Sequence, residues 1–200
     1  MIMSKQLVLA TGNAGKLKEM RAMLAPLGYT VRSQAEFAVE QPPEIGSTFI
    51  ENALIKARAA TQATGLPAIA DDSGIEVAAL GGAPGVRSAR YAGGHGDDAA
   101  NNAKLLEALA GERRRQARFR CVCVCLRHAD DPAPLIAQGV WPGSIVEQPR
   151  GLDGFGYDPV FLPAGEQRTA AELSAEEKNR ASHRGQAVAA LVTQLRIEPL

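Results

Sequence analysis

Two features are scarce in this chain of 200 residues: aromatic side chains and an excess of either charge. Aromatic residues make up 4%, and the 22 lysines and arginines are balanced by 22 aspartates and glutamates. Proteins that bind nucleic acid usually present a basic surface, often with aromatic rings on which bases stack. We therefore expect no nucleic-acid partner, and an anionic ligand would have to bind where basic side chains are locally concentrated.

Long hydrophobic runs are also absent. Because no stretch of about 18 apolar residues occurs, the sequence predicts no membrane-spanning segment. The segment Met1–Lys5 carries one lysine, and no small-residue cleavage site of a secretory signal follows it. These absences predict a cytoplasmic protein.

Cysteine is limited to three residues, Cys121, Cys123 and Cys125, which cannot all pair with one another. Side chains two positions apart on a strand lie about 6.7 Å apart. Thiolates that share one zinc ion need sulfur atoms less than about 4 Å apart, so this spacing does not fit a single ion. We interpret the three cysteines as small buried hydrophobic residues in a reducing compartment.

Apolar runs that predict strands alternate along the chain with apolar residues at helical spacing. The predicted strands cover residues 6–10, 29–33, 67–70, 75–77, 119–126, 136–146 (interrupted at Gly139 and Pro142) and 160–162. The predicted helices lie within residues 17–27, 48–65, 97–109, 174–178 and 182–195. Residues 34–47, 81–96 and 151–159 are predicted to be irregular loops. The alternation predicts an α/β domain with a mixed sheet.

Residues 11–16 join the first predicted strand to the first helix. At such a turn the unpaired backbone N–H groups and the helix dipole attract anions. Gly12 allows close approach of the backbone, and Lys16 adds a charge one turn into the helix. The glycine spacing matches neither a Walker loop nor a dinucleotide fingerprint. The placement predicts a phosphate site, although a plain turn with a helix cap is the simpler interpretation.

Two adjacent acids, Asp71 and Asp72, follow the strand predicted at residues 67–70. Neighbouring side chains in extended chain face opposite ways, so one acid is expected at a site and the other in a supporting role. A turn stabilised by an aspartate side chain would explain one of them. Glu44 is either a solvated loop carboxylate or a further oxygen ligand, and oxygen ligands together with substrate phosphates are typical of Mg²⁺ sites.

Four basic side chains, Lys56, Lys178, His183 and Arg184, could be ordinary solvated surface residues. Taken together with the turn at residues 11–16, they could instead supply the positive groups that a triphosphate needs. Phe155 or Tyr157, in the glycine-rich loop, could stack on a base, and core packing by one of the two rings is the alternative.

Six segments together carry a resemblance to a known family. They are Thr11–Lys16, Thr48–Ala53, Ala70–Gly74, Gly82–Gly85 with Ser88–Tyr91, Phe155–Asp158 and Ser182–Arg184, and they span nearly the whole chain. In these segments the sequence closely resembles the inosine triphosphate pyrophosphatase family in its bacterial form. Each segment alone is a weak signal, whereas all of them in the same order are highly specific.

The resemblance implies a single two-lobed α/β domain over residues 1–200. It implies a long mixed central sheet flanked by helices, an active-site cleft between the lobes, and a homodimer. The implied activity is Mg²⁺-dependent hydrolysis of non-standard purine nucleoside triphosphates, ITP, dITP and XTP, to the monophosphate and pyrophosphate. Such an enzyme removes deaminated purines from the nucleotide pool.

The resemblance also implies roles for individual residues. Asp72 would be the general base and a metal ligand, and Glu44 would be a second metal ligand. Ser73 would be a further substrate contact. The phosphate-binding residues would be Thr11, Gly12, Asn13, Ala14, Gly15, Lys16 and Lys56. The residues that hold the base and sugar would be Phe155, Gly156, Tyr157, Asp158, Lys178, His183 and Arg184.

These roles carry chemical expectations. Water must attack the α-phosphorus in line with the departing pyrophosphate, so positioning and charge neutralisation should supply most of the acceleration. Mg²⁺ beside Asp72 would lower the pKa of that carboxyl and make it a weak base, which predicts an alkaline pH optimum. Arg184 or His183 is expected to donate to the purine O6, which would reject adenine.

Two other functions remain open at this stage. A related pyrophosphatase acting on modified pyrimidines would share the fold and the metal chemistry but have a different base pocket. A non-catalytic nucleotide-binding regulator would use Asp72 only to hold Mg²⁺. Pyrophosphate release from a set of nucleotides separates the first from purine hydrolysis, and binding without turnover would indicate the second.

Overall fold

The computed structural model describes residues 5–12, 14–94 and 96–200. Within these residues one mixed sheet has six strands in the order β2-β1-β3-β4-β5-β6. They are β1 (Lys5–Leu9), β2 (Tyr29–Ser33), β3 (Ala68–Val77), β4 (Gln116–Leu126), β5 (Leu135–Ile145) and β6 (Phe161–Pro163). Strand β1 pairs in parallel with β2 and β3, and β6 pairs antiparallel with β5. This mixed sheet with its helices confirms the predicted α/β class.

The described part of the chain forms five α-helices. They are α1 (Ala14–Leu24), α2 (Phe49–Thr64), α3 (Asp98–Ala108), α4 (Ala175–Ala181) and α5 (His183–Ile197). Helix α2 begins with a capping box: the Thr48 hydroxyl accepts from the Glu51 N–H, and the Glu51 carboxylate accepts from the Thr48 N–H. Helix α4 begins with the matching pair Ser174 and Glu177. No helix among the described residues is both long and apolar enough to cross a membrane.

The chain divides into two units. The first takes its described residues from the segments Met1–Asp72, Val122–Gln138 and Ala187–Leu200. The second consists of Ser73–Cys121 and Gly139–Gln186. The boundary between the two units lies between Asp72 and Ser73, inside strand β3.

The core of the first unit contains strand β1 and the apolar face of α2. Leu7, Val8 and Leu9 are fully or almost fully buried, and so is the small-residue stripe Ala53, Ala57 and Ala60 on α2. Burial of apolar surface of this kind contributes roughly 25 cal/mol for each Å² removed from water. The same helix also buries the polar side chains of Asn52, Lys56 and Thr61.

The core of the second unit is richer in aromatic residues. Phe119, Trp141, Tyr157 and Phe161 are buried in one cluster with aliphatic residues of β3, α3 and β5. The rings of Phe119 and Phe161 meet edge to face with centroids 4.6 Å apart. Four of the chain's nine aromatic residues are thus used for packing in this unit.

Three details of the predicted elements are wrong. Strand β3 does not end at residue 70 but continues through both acids to Val77. Strand β5 is not interrupted, because the Pro142 carbonyl still accepts from the Ala164 N–H and only the missing proline N–H is lost. The loops predicted at residues 34–47 and 81–96 contain short 3₁₀ helices, Gln34–Phe37 and Gly85–Arg90.

The cysteines match their predicted environment. Cys121, Cys123 and Cys125 are all buried in β4. Burial raises the pKa of the Cys125 thiol to about 12. A thiol with so high a pKa is unreactive at neutral pH, as expected for a small core residue.

Candidate active site

Asp71 and Asp72 are buried side by side in β3, and their carboxylates bond to different lysines. Lys16 of α1 lies 2.7 Å from Asp71 Oδ2 and 3.0 Å from Oδ1. Lys56 of α2 lies 3.0 Å from Asp72 Oδ1. The alternation of side chains along a strand therefore sends the two acids to different partners, as the sequence predicts. Because both charges are paired, the strand can continue through two acids that would otherwise favour a turn.

Glu44, in the loop before α2, also bonds to Lys56. Its Oε1 lies 2.9 Å from the Lys56 ammonium nitrogen, which also bonds to Asp72. Lys56 is only 6% exposed, so its interpretation as a solvated surface lysine is wrong. Two carboxylates and one ammonium thus meet in a largely buried position.

Asn52 completes this group, one helical turn before Lys56 on the same face of α2. Its Nδ2 donates to Asp72 Oδ2 at 3.2 Å, and its Oδ1 accepts from the Gly46 N–H at 2.8 Å. A Cβ atom on Gly46 would lie 2.6 Å from Glu51 Cβ and 2.7 Å from Asn52 Oδ1, so only glycine fits there. Asn52 therefore fixes Asp72 and also the loop that carries Glu44. We call Glu44, Asn52, Lys56 and Asp72 the carboxylate cluster.

Burial and charge act in opposite directions on this cluster. Burial raises the pKa of the Asp72 carboxyl, and the adjacent Lys56 ammonium only partly offsets that effect. Burial acts to lower the pKa of Lys56, but the carboxylates of Asp72, Asp71 and Glu44 outweigh it, and the pKa is raised. Lys56 therefore stays charged, while Asp72 holds a proton more readily than an exposed aspartate.

The oxygen atoms of this cluster are of the chemical type that binds magnesium ions. Glu44 and Asp72 are hard oxygen donors that converge on one cation, Lys56. Among the described residues, no three acidic, histidine or cysteine side chains group closely enough to hold a metal by themselves. Mg²⁺ is commonly held by one or two carboxylates, with substrate phosphates and water as the remaining ligands. The pair Glu44 and Asp72 matches that pattern.

The predicted phosphate turn lies at the start of α1. Thr11 and Gly12 follow β1, and α1 begins at Ala14, so Gly15 and Lys16 lie in its first turn. A Cβ atom added to Gly12 would meet nothing within 4 Å, which leaves its backbone open to a ligand. Asn13 lies outside the described residues. The described part combines a helix N-terminus with the Lys16 ammonium, and both favour an anion.

In the second unit, several predicted residues gather around the ring of Phe155. This ring is 51% exposed, with the Lys178 nitrogen 4.4 Å and the Arg184 guanidinium carbon 5.4 Å from its centroid. Arg184 Nη2 also donates to Ser73 Oγ at 3.3 Å. Asp158 pairs with Lys178 and accepts from the Phe155 N–H at 2.8 Å. We call Ser73, Phe155, Asp158, Lys178 and Arg184 the Phe155 group.

His183 and Tyr157 lie elsewhere in this unit. The His183 ring is buried and stacks on Phe119, with centroids 4.6 Å apart and planes 7° apart. Its interpretation as a solvated residue is therefore wrong. The Tyr157 ring belongs to the aromatic core, and its hydroxyl donates to the Ser88 carbonyl at 2.8 Å. Of the two rings considered for stacking on a base, only Phe155 is presented to solvent.

Comparison with known proteins gives the same family over nearly the whole chain. A sequence model of the Ham1 family matches residues 7–194. The chain belongs to the Ham1 family. It is 59% identical to the dITP/XTP pyrophosphatase of Chromobacterium violaceum over 194 residues, 97% of this chain and 98% of that protein. It is 54% identical to the dITP/XTP pyrophosphatase of Shigella flexneri, covering 96% of this chain and 98% of the relative.

Solved structures of Ham1 proteins show the same fold. The HAM1 protein from Coxiella burnetii superposes with a TM-score of 0.93 at 52% identity, covering 96% of this chain and 98% of the other. A nucleoside-triphosphatase, dITP/XTP pyrophosphatase, from Mycobacterium abscessus gives 0.80 at 45% identity, covering 96% and 100%. The family resemblance drawn from the sequence motifs is therefore confirmed, and so is the α/β fold it implied.

Asn52 is the residue of this Ham1 protein's carboxylate cluster that the sequence analysis missed. A signal was present, since asparagine is a poor helix former and lies here inside α2, directly after the capping residue Glu51. It precedes Lys56 by four residues, so both belong to one helix face. A polar side chain in such a position indicates a hydrogen bond to a residue outside the helix.

Proposed function

We propose that this protein hydrolyses the non-standard purine nucleoside triphosphates ITP, dITP and XTP to the monophosphate and pyrophosphate, using Mg²⁺. The observation that carries the proposal is the carboxylate cluster, in which a buried Asp72 with a raised pKa shares Lys56 with Glu44. The activity named for the curated relatives supports the same reaction. Removal of these nucleotides would keep deaminated purines out of the nucleotide pool.

The triphosphate is assigned to the first unit. The open backbone at Gly12, the N-terminus of α1 and the ammonium of Lys16 offer an anion site, and Lys56 adds a second positive charge. Phosphoryl transfer depends mainly on holding the nucleophile in line and on neutralising the charge of the phosphate oxygens. Lys16 and Lys56 have the charge for that neutralisation.

Glu44 and Asp72 are the residues that would hold Mg²⁺. When bound, Mg²⁺ supplies positive charge to the phosphate oxygens and increases the acidity of nearby water. Lys56 already bonds to both carboxylates, so it keeps the two side chains directed at one point. Asn52 fixes the second oxygen of Asp72 and the backbone at Gly46.

Asp72 is assigned as the general base. Its carboxylate accepts the proton of the attacking water as that water bonds to the α-phosphorus and the bond to pyrophosphate breaks. Burial raises the pKa of this carboxyl and so favours proton uptake, and Mg²⁺ bound beside it would act in the opposite direction. Lys56 remains protonated beside it and stabilises the ionised form.

The purine base and sugar are assigned to the Phe155 group. The half-exposed Phe155 ring offers a stacking surface, and Arg184 lies beside it with N–H donors suited to the purine O6. Adenine carries an amino group at that position, so a donor aimed at O6 would be left unpaired and ATP would be rejected. Guanine also carries O6, so the protein must distinguish GTP by the amino group at C2 of the guanine base.

Arg184 can be tested directly for a role in base choice. Arg184→Ala should lower kcat/KM for ITP much more than for ATP, by about tenfold or more, because a donor to O6 contributes only when O6 is present. His183, packed on Phe119, is the less suitable donor of the two. Equal losses on ITP and ATP would contradict this role for Arg184.

The proposal includes a homodimer in the cytoplasm with no nucleic-acid partner. Sedimentation analysis of the purified protein tests the dimer, since a monomer at assay concentration would contradict it. Absence of binding to a labelled duplex at low salt tests the last point, because nonspecific binding is strongest there.

A nucleotide set assayed with and without Mg²⁺ tests the function as a whole. We expect pyrophosphate release from ITP, dITP and XTP with Mg²⁺, little from ATP and GTP, and almost none after chelation. Preferential release from modified pyrimidine triphosphates would contradict the purine assignment. Tight ITP binding with no turnover would instead indicate a nucleotide-binding regulator.

A further inference from the structure

The loop that carries Phe155 is fastened to helix α3 at a single residue, Gly156. The Gly156 N–H donates to Asp98 Oδ2 at 2.6 Å, and the Gly156 carbonyl accepts from Asn102 Nδ2 at 2.9 Å. Asp98 and Asn102 are four positions apart and share one face of α3. One helix therefore holds both polar backbone groups of one loop residue.

These bonds fix the backbone on both sides of the Phe155 ring. The Phe155 N–H is held by Asp158 at 2.8 Å, and the next peptide N–H, that of Gly156, is held by Asp98. Gly156 has a φ of +63°, in the left-handed region that a flexible glycine can easily leave. Without the bonds to α3, the backbone could rotate at Gly156, next to the Phe155 ring. With them, the ring retains mainly its side-chain rotations.

Neither residue is needed to begin or continue α3. The helix is capped by Asp97, whose Oδ1 accepts from the Ala100 N–H at 2.9 Å, so the adjacent Asp98 is not the cap. Asn102 is buried in the middle of the helix, where asparagine is unfavourable. Its Oδ1 has no hydrogen-bond partner among the described residues, so the bond to Gly156 is the one its amide makes there.

We propose that Asp98 and Asn102 are positioning residues for base recognition, which set the place of the Phe155 ring and thereby the affinity for the nucleotide. This inference rests on the proposed function, since it needs the ring to stack on a base. It requires no contact between Asp98 or Asn102 and the substrate. Loss of either bond would let the ring move away from its stacking position, which weakens binding and leaves the phosphate chemistry of the first unit intact.

The test compares Asp98→Ala, Asn102→Ala and the conservative variant Asp98→Asn with the wild type. Asn101→Ala is the matched control, because Asn101 on the same helix holds a different loop, accepting from the Ala92 N–H at 2.7 Å. KM and kcat for ITP are measured from pyrophosphate release, and affinity for ITP is measured by titration calorimetry without Mg²⁺. Thermal melting shows which variants are folded.

For Asp98→Ala and Asn102→Ala we expect KM and Kd for ITP to rise about tenfold, the order of effect seen on losing base stacking, with kcat within about twofold. Asp98→Asn should retain most of the affinity, because its amide oxygen can still accept from the Gly156 N–H. Asn101→Ala should melt earlier without a comparable rise in KM.

A double-mutant cycle with Phe155→Ala separates positioning from a general effect on stability. In the Phe155→Ala background, adding Asp98→Ala should change KM and Kd by less than about twofold, since no ring is left to position. The inference is overturned if the two losses multiply, if Asp98→Ala leaves affinity unchanged, or if Asn101→Ala raises KM equally. Absence of turnover in the wild type would refute the proposed function instead, and the calorimetric cycle would still decide the positioning role.

Discussion

Two aspartates in the first unit have little solvent exposure and lie beside a cation, yet the pKa values of their carboxyl groups shift in opposite directions. Asp72 is 7% exposed and Asp131 is 5% exposed. Asp72 accepts from one lysine and one asparagine side chain. Asp131 accepts from two nitrogens of the Arg127 guanidinium and from the backbone N–H groups of Arg127 and Ala133.

Burial dominates at Asp72 and hydrogen bonding dominates at Asp131, which explains the opposite shifts in pKa. The Arg127 guanidinium and the two backbone donors hold the pKa of Asp131 well below its usual range. Burial, only partly offset by Lys56, raises the pKa of Asp72. A carboxylate whose bonding positions are all satisfied stabilises a structure, whereas one that keeps bonding capacity in a buried position can accept a proton or a cation.

The largest expected effect comes from removing the charge at each aspartate in turn. Asp72→Asn should lower kcat for ITP by about 10³-fold, because it removes the general base, and the protein should remain folded. Asp131→Asn is the matched control and should keep kcat within about twofold while lowering the melting temperature by several degrees. Pyrophosphate release and thermal melting measure both, and a loss of turnover in Asp131→Asn as large as in Asp72→Asn would contradict the comparison.

Asn52→Ala should give the next largest effect, a loss of about 10- to 100-fold in kcat/KM or in apparent Mg²⁺ affinity. It removes the bond that orients Asp72 and leaves the Gly46 N–H without its acceptor, so the loop bearing Glu44 is also released. A Mg²⁺ titration of activity measures the change. If Asn52→Ala reaches the wild-type kcat at saturating Mg²⁺ and ITP, and the midpoint of its Mg²⁺ titration is unchanged, Asn52 has no positioning role.

The pH profile should show how Mg²⁺ changes Asp72. Burial raises the pKa of this carboxyl in the metal-free protein, whereas Mg²⁺ bound beside it would lower the pKa and make Asp72 a weak base, so the attacking water must itself be acidified. Mg²⁺ binding also needs the ionised carboxylates of Glu44 and Asp72, which lowers activity at low pH. We expect activity to keep rising into the alkaline range, and a maximum at about pH 6 would be inconsistent with this assignment.

The smallest effect is the pH dependence of stability at Asp131. Its pKa is lowered on folding, so its contribution is fully present above the ordinary aspartate value of about 4 and is lost as the pH falls through the lower, folded value. The difference in melting temperature between wild type and Asp131→Asn should therefore be constant from about pH 5 to 8 and shrink below about pH 4. A difference that persists unchanged at the lowest pH would show that packing, and not the ionised carboxylate, is responsible.

The elements of this fold were largely predictable because their local signals are strong. Helix α3 begins after Asp97, as predicted, and the capping boxes at Thr48 and Ser174 mark the starts of α2 and α4. Such caps depend on residues within one turn, which the sequence displays directly. The prediction for β3 failed because two adjacent acids favour a turn in isolation, whereas here lysines distant in sequence neutralise both.

The sequence indicates which residues form the site but not which of them bond to one another. Asp72, Glu44 and Lys56 were all selected from the sequence, but nothing local shows that Lys56 is buried or that it bonds to both acids. The same holds for His183, which stacks in the aromatic core. Asn52 bonds to Asp72, and Asp98 and Asn102 bond to Gly156, so the partners of all three side chains are distant in sequence and are identified only in the folded chain.

Phosphorus NMR of the products formed from ITP, for the wild type and for Asp72→Asn, shows which bond is cleaved and whether cleavage needs the Asp72 carboxylate. We predict that the wild type yields inosine monophosphate and pyrophosphate in equal amounts, and that Asp72→Asn yields almost none of either. Formation of inosine diphosphate and orthophosphate, or undiminished cleavage by Asp72→Asn, would contradict a reaction in which Asp72 directs water to the α-phosphorus.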